Sequence, residues 1–318
     1  MNSHLPDERA ILSEFGLIDW IRDRVRSGRS TLLGIGDDCA MVSLGHDARL
    51  LITTDMLMDG RHFRLGEQSP EAIGYKALAV NVSDIAAMAG RPIAAVVAVA
   101  LPKSEARQLV HALHQGLTEA ADRFEVDIVG GDTNAWDGPL VLSVTLIGVP
   151  VGRGPVTRSG ARIGDAIYVT GPLGGSILGR HLRPEPRVSE AIALNASAEL
   201  HAMIDISDGL ASDLGHILKE SGELGALLQE DAIPIHPDAI RLSESGGRSP
   251  LSHALGDGED FELCFCVSAE VETRWQTEPL SDFPIHWIGR VTEQPGIRIE
   301  ARDGTVEVVR TRGFDHLA

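Results

Sequence analysis

The chain has 318 residues, of which 43% are hydrophobic and 23% charged, and this length predicts two domains of about 150 residues each. It contains no low-complexity tract, which excludes a disordered protein and is typical of a globular one. The 28 basic and 46 acidic residues give a formal net charge of −18, and so negative a surface disfavours binding to a nucleic-acid backbone.

Hydrophobic periodicity and turn residues predict alternating helices and strands in the first half of the chain. Ser69 and Pro70 open the second predicted helix, and Gly90 followed by Pro92 closes it. The predicted elements are a helix at 13–27, a strand at 49–54, a helix at 69–89, a strand at 93–101, a helix at 104–124, a brief strand at 127–129 and a strand at 140–149. This alternation predicts an α/β or α+β fold class.

Residues 150–165 are dense in glycine and proline and lack an apolar period, so we place a domain junction there. It divides the chain into an N-terminal domain, 1–149, and a C-terminal domain, 150–318. The elements predicted beyond the junction are a strand at 166–170, a glycine turn at 171–176, a helix that starts at residue 210, and strands at 261–267 and 286–291.

Aspartates recur at turns and at the ends of the predicted elements. They lie in six segments, 36–38 (GDD), 53–55 (TTD), 83–84 (SD), 131–133 (GDT), 205–209 (DISDG) and 258–260 (GED). Magnesium takes carboxylate, phosphate and water oxygens, so these corners suit several magnesium ions around one triphosphate, whereas zinc would call for Cys and His. Carboxylates that converged without cations would repel each other, and convergence therefore predicts bound metal.

Each acidic corner taken alone has a simpler structural interpretation. Aspartate beside Gly or Ser commonly forms Asx turns and helix N-caps, and Asp208 stands where it could cap the helix that starts at Leu210. The doublets favour the metal interpretation, because Asp37 with Asp38, and Asp205 with Asp208, place two negative charges within one turn.

Two further features bear on phosphate binding. The glycine turn 171–176 could present backbone N–H groups to a phosphate, although such turns are also common without a ligand. Arg158 could grip a phosphate or form a surface salt bridge. The P-loop motif and the protein-kinase motif set do not occur in the sequence, which excludes the familiar ATP sites.

Cysteine use and the first residues bear on cellular location. Cys39, Cys264 and Cys266 are too few and too unevenly spaced for a disulfide framework or a four-ligand zinc site, so we expect reduced thiols. The start of the sequence lacks a basic segment followed by an apolar one, and no apolar run reaches the roughly 18 residues that a membrane helix needs. We therefore expect a cytoplasmic protein that has no membrane partner.

Seven motifs, in order along the chain, resemble those of the thiamine-monophosphate kinase family, and the resemblance extends from about residue 14 to residue 316. The motifs are 34–40 (GIGDDCA), 53–55 (TTD), 75–84 (YKALAVNVSD), 130–133 (GGDT), 157–160 (TRSG), 205–210 (DISDGL) and 258–263 (GEDFEL). One segment, residues 171–187, departs from the family pattern because it is shorter than the corresponding segment in familiar members of the family. The local structure there is therefore left open.

The resemblance implies a two-domain, aminoimidazole ribonucleotide synthetase-like fold, with an N-terminal α/β dimerisation domain and a C-terminal α+β domain that closes the cleft. It implies a homodimer that transfers phosphate from ATP to thiamine monophosphate, giving thiamine diphosphate and ADP, with Mg²⁺ as the metal. The implied magnesium ligands are Asp38, Thr53, Thr54, Asp55, Asp84, Asp132, Asp205 and Asp208. The implied ATP contacts are Gly131, Asp132, Arg158 and Ser207, and the implied thiamine phosphate contacts are His62, Glu259 and Phe314.

Phosphoryl transfer depends more on alignment and cation shielding than on a strong base, which fits a site rich in aspartate. We expect direct in-line transfer, with Asp55, Asp84, Asp132 and Asp208 as the catalytic set. Three alternatives stay open at this point. They are a sister enzyme of the same fold, such as selenophosphate synthetase or the hydrogenase-maturation dehydratase; a non-catalytic metal-binding module; and a thiamine pyrophosphokinase.

Overall fold

The computed structural model of the chain describes residues 14–25, 28–45, 48–278, 280 and 283–309. Two β-sheets organise these residues. The helices are α1 (Glu14–Arg22), α2 (Pro70–Ala87), α3 (Ala106–Phe124), α4 (Val188–Ser197), α5 (Leu210–Glu220), α6 (Pro237–Gly246), α7 (Pro250–Gly256) and α8 (Ala269–Thr277). The strands are β1 (Thr31–Leu33), β2 (Ala40–Gly45), β3 (Ala48–Met58), β4 (Gly90–Pro102), β5 (Asp127–Trp136), β6 (Val141–Pro150), β7 (Ala166–Val169), β8 (Ala202–Asp205), β9 (Gly225–Gln229), β10 (Leu263–Val267), β11 (His286–Thr292), β12 (Gly296–Glu300) and β13 (Val306–Val308).

The first sheet has six strands in the order β1-β2-β3-β6-β4-β5. Its neighbours are antiparallel except β4 and β5, which run parallel. Helices α2 and α3 pack together, and their apolar side chains share one core with the sheet, including Leu78, Ile85, Leu117 and Leu142. Burial of these side chains is the main source of stability in this half, at about 1.5–3 kcal/mol for each large side chain.

Helix α2 lies at the centre of the molecule, and most of its side chains are buried. Ser69 caps it by accepting a hydrogen bond from the Ala72 N–H, and Pro70 occupies its first turn, as the sequence predicts. It crosses α3 closely, because a Cβ on Gly74 would lie 2.2 Å from the Leu113 carbonyl oxygen and one on Gly116 would lie 1.8 Å from the Glu71 carbonyl oxygen. Only glycine permits this approach of two helix backbones.

The second sheet has seven strands in the order β13-β12-β9-β11-β7-β10-β8. All its neighbours are antiparallel except β12 and β9, which run parallel. One core, which includes Ile204, Leu214 and Ile288, joins the sheet to α5 and α7. A separate core holds Tyr168, Phe265 and Trp275 together with Ala86 and Ala87 at the end of α2. Helix α2 therefore contributes to the cores of both halves.

The mixed α/β class is confirmed, and most predicted elements lie within a few residues of their expected ends. Three predictions are wrong in extent. The strand expected at 49–54 continues as β3 to Met58. The first helix ends at Arg22 rather than residue 27, and β5 runs on to Trp136 rather than stopping at residue 129. The extension has a physical cause, since β5 pairs with β4 through its Gly-Gly-Asp-Thr run and the ladder supplies hydrogen bonds that local propensity does not predict.

The three cysteines are free and buried, and burial raises the pKa of the Cys39 thiol well above its usual range. Among the residues described above, the helices are all too short or too polar to span a bilayer.

Candidate active site

Three carboxylates from distant parts of the chain meet at one point. Asp38 lies between β1 and β2, Asp84 lies in the last turn of α2, and Asp205 ends β8. Each contributes an oxygen, and these oxygens lie within 4.8 Å of one another. We call these three residues the carboxylate cluster. Two of its members belong to the first half of the chain and one to the second, so the cluster lies between the two sheets.

Burial and mutual repulsion raise the pKa of two carboxylates of this cluster, Asp84 and Asp205. Burial raises the pKa of Asp205 to about 7, with the Asp38 charge adding to the shift. Burial also raises the pKa of Asp84 well above its usual range, and the charges of Asp55, Asp205 and Asp38 act in the same direction. The neighbouring Asp37 has a pKa raised to about 7, first by burial and then by Asp38.

The hydrogen bonds around the cluster leave acceptor capacity unused. Thr53 donates its hydroxyl to Asp84, and Ser83 donates to Asp205 at 2.5 Å. Arg158 donates to Oδ1 of Asp38 at 2.6 Å, while the buried Oδ2 of Asp38 accepts no hydrogen bond. A hard divalent cation fits this set of oxygen donors, since it would both use the idle oxygen and offset the crowded negative charge.

Strand β3 carries the Thr-Thr-Asp motif, and its alternation divides the three residues between two faces. Thr53 donates its hydroxyl to Asp84 on α2. The backbone N–H of Asp55 donates to Asn81 Oδ1 at 3.1 Å. Thr54 instead bonds the Val144 carbonyl oxygen at 3.1 Å and Thr145 Oγ1 at 3.0 Å, on the opposite face of the sheet. The structure therefore does not bring the Thr54 side chain to the cluster, because consecutive strand residues point in opposite directions.

The Asp-Ile-Ser-Asp-Gly motif forms the turn between β8 and α5. Gly209, with φ 106°, is the N-cap residue of α5, and no side chain caps this helix. The Asp208 backbone N–H donates to Asp213 Oδ2 at 3.0 Å. Asp208 is therefore not the N-cap that its position suggested.

Gly131 and Asp132 lie on the edge strand β5, where every residue is exposed. Gly131 has φ 156°, and a Cβ there would lie 1.9 Å from the Val97 carbonyl oxygen, so a side chain at this position would clash with β4. Asn134 donates to Asp132 Oδ2 at 2.7 Å. Asp132 is not one of the three residues of the carboxylate cluster.

Arg158 is engaged inside the protein rather than at its surface. Its guanidinium contacts Asp38, and its backbone N–H donates to both Asp37 oxygens at 3.2 Å. The glycine turn is engaged as well, since Gly174 and Gly175 donate their N–H groups to Asp260 at 2.7 Å and Asp257 at 3.0 Å. These two N–H groups thus bind carboxylates of the chain itself instead of standing open to a phosphate.

Asp257, Asp260 and Glu262, which we call the loop cluster, are also tied to the short segment 171–187. Arg180 contacts Asp260 at 3.1 Å, Arg187 contacts Glu262 at 2.5 Å, and Ser176 donates to the Gly258 carbonyl oxygen at 2.6 Å. The segment forms two short 3₁₀ helices, Ser176–Leu178 and Arg180–Leu182. It therefore braces the Gly-Glu-Asp-Phe-Glu-Leu loop.

Two of the residues expected to contact thiamine phosphate are bonded to a lysine that the sequence interpretation did not assign to the site. Lys76, on α2, donates to the His62 carbonyl oxygen at 2.9 Å and to Glu259 Oε1 at 2.5 Å. It thereby joins two of the three residues expected to contact thiamine phosphate. Its signal in the sequence is that it is the one basic residue of a largely apolar helix, in a chain that has three lysines. Phe314, the third predicted contact, lies outside the described residues.

Comparisons with known proteins identify relatives of this chain. The family model described as AIR synthase related protein, N-terminal domain, matches residues 36–150. The thiamine-monophosphate kinase of Rhodopirellula baltica is 41% identical to this chain over 95% of the chain and 97% of the relative. The thiamine-monophosphate kinase of Escherichia coli strain K12 is 38% identical over 96% and 98%.

A solved structure, AaThiL complexed with AMPPCP and TMP, superposes on this fold with a TM-score of 0.82. It is 33% identical in sequence, and the match covers 96% of this chain and 97% of that one. Together with the match over 36–150, this superposition confirms the expected aminoimidazole ribonucleotide synthetase-like architecture.

Proposed function

The chain belongs to the thiamine-monophosphate kinase family and is an ATP-dependent kinase of thiamine monophosphate, and we propose that it transfers the terminal phosphoryl group of ATP directly, in line, within a magnesium-loaded cleft between its two sheets. The observation that carries the proposal is the meeting of the buried Asp38 and Asp205 with the half-buried Asp84, with Arg158 as the one cation in contact with them among the described residues.

We propose Asp38, Asp84 and Asp205 as the first magnesium ligands. We add Thr53, which donates its hydroxyl to Asp84, Asp55 from the same strand, and Asp208 from the motif of Asp205, and Asp132 would join them from β5. Thr54 is left out, because its side chain bonds Val144 and Thr145 on the other face of the sheet. Bound Mg²⁺ would supply charge neutralisation for the ATP phosphates and the acceptor phosphate.

The catalytic set that we propose is Asp55, Asp84, Asp132 and Asp208. The raised pKa of Asp84 supports this assignment, because perturbed carboxylates in a cleft are candidates for functional groups. These side chains hold and orient the reacting phosphates, and no strong base is required of them.

We propose that Gly131, Asp132, Arg158 and Ser207 contact ATP. Arg158 supports this role because its guanidinium already lies at the carboxylate cluster, 2.6 Å from Asp38. An arriving phosphate would share this guanidinium with Asp38, whose carboxylate could then turn to the cation. Gly131 supports the ATP contact because its backbone is exposed on the edge strand β5 and no side chain covers it.

On the acceptor side we propose His62, Glu259 and Phe314. His62 and Glu259 are joined through Lys76, which supports a common role for the two. The Glu259 side chain is 30% exposed, so its carboxylate keeps an outward side for a ligand. A carboxylate there suits thiamine monophosphate, whose thiazolium ring is positively charged.

We also propose two domains, 1–149 and 150–318, and a homodimer formed through the N-terminal one. The separate sheets and cores of the two halves support the division. The exposed edge strand β5 supports the dimer, since an unprotected edge is a template for pairing with another chain. Val129 and Trp136 on β5 are 65% and 44% exposed, and Met56 on β3 and Val96 on β4, in the same sheet, are 54% and 43% exposed.

Sedimentation or light scattering tests the dimer, which should have twice the 34.0 kDa mass of the chain. Val129→Lys should favour the monomer, because it places a charge on the edge that pairing would bury. A wild-type monomer at micromolar concentration would overturn this part of the proposal.

We place the enzyme in the cytoplasm, where its buried thiols stay reduced and ATP is available. Its partners are ATP, thiamine monophosphate and a second copy of the chain, without nucleic acid or membrane. The net charge of −18 supports the exclusion of nucleic acid.

Product analysis tests the proposed reaction. Incubation with ATP, thiamine monophosphate and Mg²⁺ should give thiamine diphosphate and ADP in equal amounts, and chelation should abolish both. Release of AMP would indicate pyrophosphate transfer instead, and ADP without thiamine diphosphate would indicate an ATPase.

A further inference from the structure

Lys76 is a charged residue whose side chain is fully buried, which is rare for a lysine. Its side chain is 0% exposed, and it ranks first by size among the fully buried side chains. Burial lowers the pKa of this amine, and the Glu259 carboxylate opposes part of that shift. A buried ammonium of this kind is costly unless its partners are well placed, so the two acceptors that Lys76 contacts are central to its role.

Those two acceptors come from separate loops. The His62 carbonyl oxygen belongs to the loop between β3 and α2, and Glu259 belongs to the loop between α7 and β10, 183 residues away from Lys76. Lys76 thus holds a backbone atom of one half of the molecule and a carboxylate of the other. Both acceptors are residues to which we have assigned thiamine monophosphate.

Helix α2 fixes the distance between these contacts and the carboxylate cluster. Lys76 and Asp84 are eight residues apart, which places them on one face of the helix and about 12 Å apart along its axis. The helix is capped, buried and locked against α3 by Gly74 and Gly116. A single rigid element therefore carries an anchor for the acceptor loops and a ligand for the metal.

The loop that bears Glu259 is also held from its other side. The Glu259 N–H donates to the Ser207 carbonyl oxygen at 2.7 Å, and the Phe261 N–H donates to the Ile206 carbonyl oxygen at 2.8 Å. Glu259 has φ 62°, in the left-handed region that non-glycine residues rarely occupy. The backbone thus aims the side chain toward α2, and Lys76 receives it there.

We propose that Lys76 is a positioning residue for the phosphate acceptor, because it holds Glu259 and the His62 backbone at a fixed distance from the carboxylate cluster. This inference rests on the proposed function, which assigns His62 and Glu259 to thiamine monophosphate. Lys76 contacts Glu259 Oε1, and the partly exposed carboxylate keeps its outward side for the acceptor. ATP binding depends on other residues, so Lys76 should affect the two substrates unequally.

Steady-state kinetics with each substrate varied in turn tests this role. Lys76→Met should raise the KM for thiamine monophosphate about tenfold or more, while the KM for ATP changes by less than about threefold. Lys219→Met is the matched control, since Lys219 forms an exposed ion pair with Asp19 at 3.0 Å, and its kinetics should equal those of the wild type. A parallel rise in both KM values, or no rise in the KM for thiamine monophosphate, would overturn the proposal.

A double-variant cycle separates positioning from direct contact. If Lys76 acts through Glu259, the double variant Lys76→Met/Glu259→Gln should be no worse than the poorer single variant. Multiplied effects would instead indicate that Lys76 contacts the substrate itself. Lys76→Gln keeps a donor for the His62 carbonyl oxygen and replaces Lys76→Met if that variant does not fold, with the same split between substrates expected.

The wild-type assay keeps the two proposals distinguishable. Absence of thiamine diphosphate from wild-type protein contradicts the proposed reaction. Wild-type turnover combined with an unchanged KM in the Lys76 variants contradicts the positioning role alone.

Discussion

Two groups of buried carboxylates lie close to the cleft, and they differ in how their charge is balanced. In the loop cluster each carboxylate has an arginine. Arg180 contacts Asp260 at 3.1 Å, Arg187 contacts Glu262 at 2.5 Å, and Arg248 contacts Asp257 at 2.8 Å. Two of the three also accept backbone N–H groups from the glycine turn. This cluster is complete without a ligand.

The carboxylate cluster has a single arginine for its three acids. Arg158 contacts Asp38, while the hydroxyl groups of Thr53 and Ser83 donate to Asp84 and Asp205. Hydroxyl donors do not balance the negative charge, and burial together with the Asp38 charge raises the pKa of Asp205 to about 7. The comparison teaches that acid count does not separate a binding site from a structural network. What separates them is whether the chain itself places an arginine beside each buried acid.

The largest expected effect comes from neutralising the carboxylate cluster. Asp84→Asn should lower kcat by roughly 100- to 1,000-fold, because it removes charge that orients the reacting phosphates through the metal. The fold should persist, since the change relieves repulsion among buried acids. Activity assays with circular dichroism measure both. Asp238→Asn, at a buried acid outside the cluster, is the control, and near-normal turnover in Asp84→Asn would reject the assignment.

The loop cluster should respond in the opposite way. Arg187→Met leaves Glu262 buried without its main cation, and we expect a loss of about 2–3 kcal/mol in the free energy of unfolding. Activity per folded molecule should change much less than in Asp84→Asn. Urea titration measures the loss. The added change Glu262→Gln should restore part of the stability, and failure to do so would indicate that packing rather than charge is responsible.

The carboxylate cluster also predicts a pH dependence of stability that magnesium should reduce. The folded-state pKa of Asp205, about 7, lies above its ordinary value of 3.8, so the folded state binds more protons than the unfolded state between these values. Metal-free protein should therefore lose stability as the pH rises from about 4 to about 7. Melting temperatures with and without Mg²⁺ across this window measure the effect. Asp205→Asn should flatten the metal-free curve.

The smallest effect is expected at an exposed ion pair next to the loop cluster. Arg241 is 64% exposed and pairs with Asp238 one turn away on α6. Arg241→Met should change the free energy of unfolding by less than about 0.5 kcal/mol, because solvent screens exposed pairs. Urea titration alongside Arg187→Met sharpens the contrast between buried and exposed pairing. A loss comparable to that of Arg187→Met would mean that exposure does not determine the cost.

The sequence was informative wherever local spacing decides structure. The capped start of α2 follows from Ser69 and Pro70, and the helix that begins at Leu210 follows from its apolar period. The acidic corners were visible because aspartates recur at the ends of the predicted elements and two doublets place two negative charges within one turn. The motif order indicated the family, which the relatives confirm. The individual site roles of these residues stay predictions.

The tertiary structure alone decided which of these groups meet and how they are balanced. The Lys76 contact with Glu259 joins residues 183 positions apart, and the glycine turn receives Asp257 and Asp260 rather than standing open. The sequence thus determined the local elements, the acidic motifs and the family. Which charged residues contact each other, and which are buried, depended on sheet order and on the packing of α2 between two cores. The physical reason is that charge balance at a buried site depends on neighbours that local sequence does not specify.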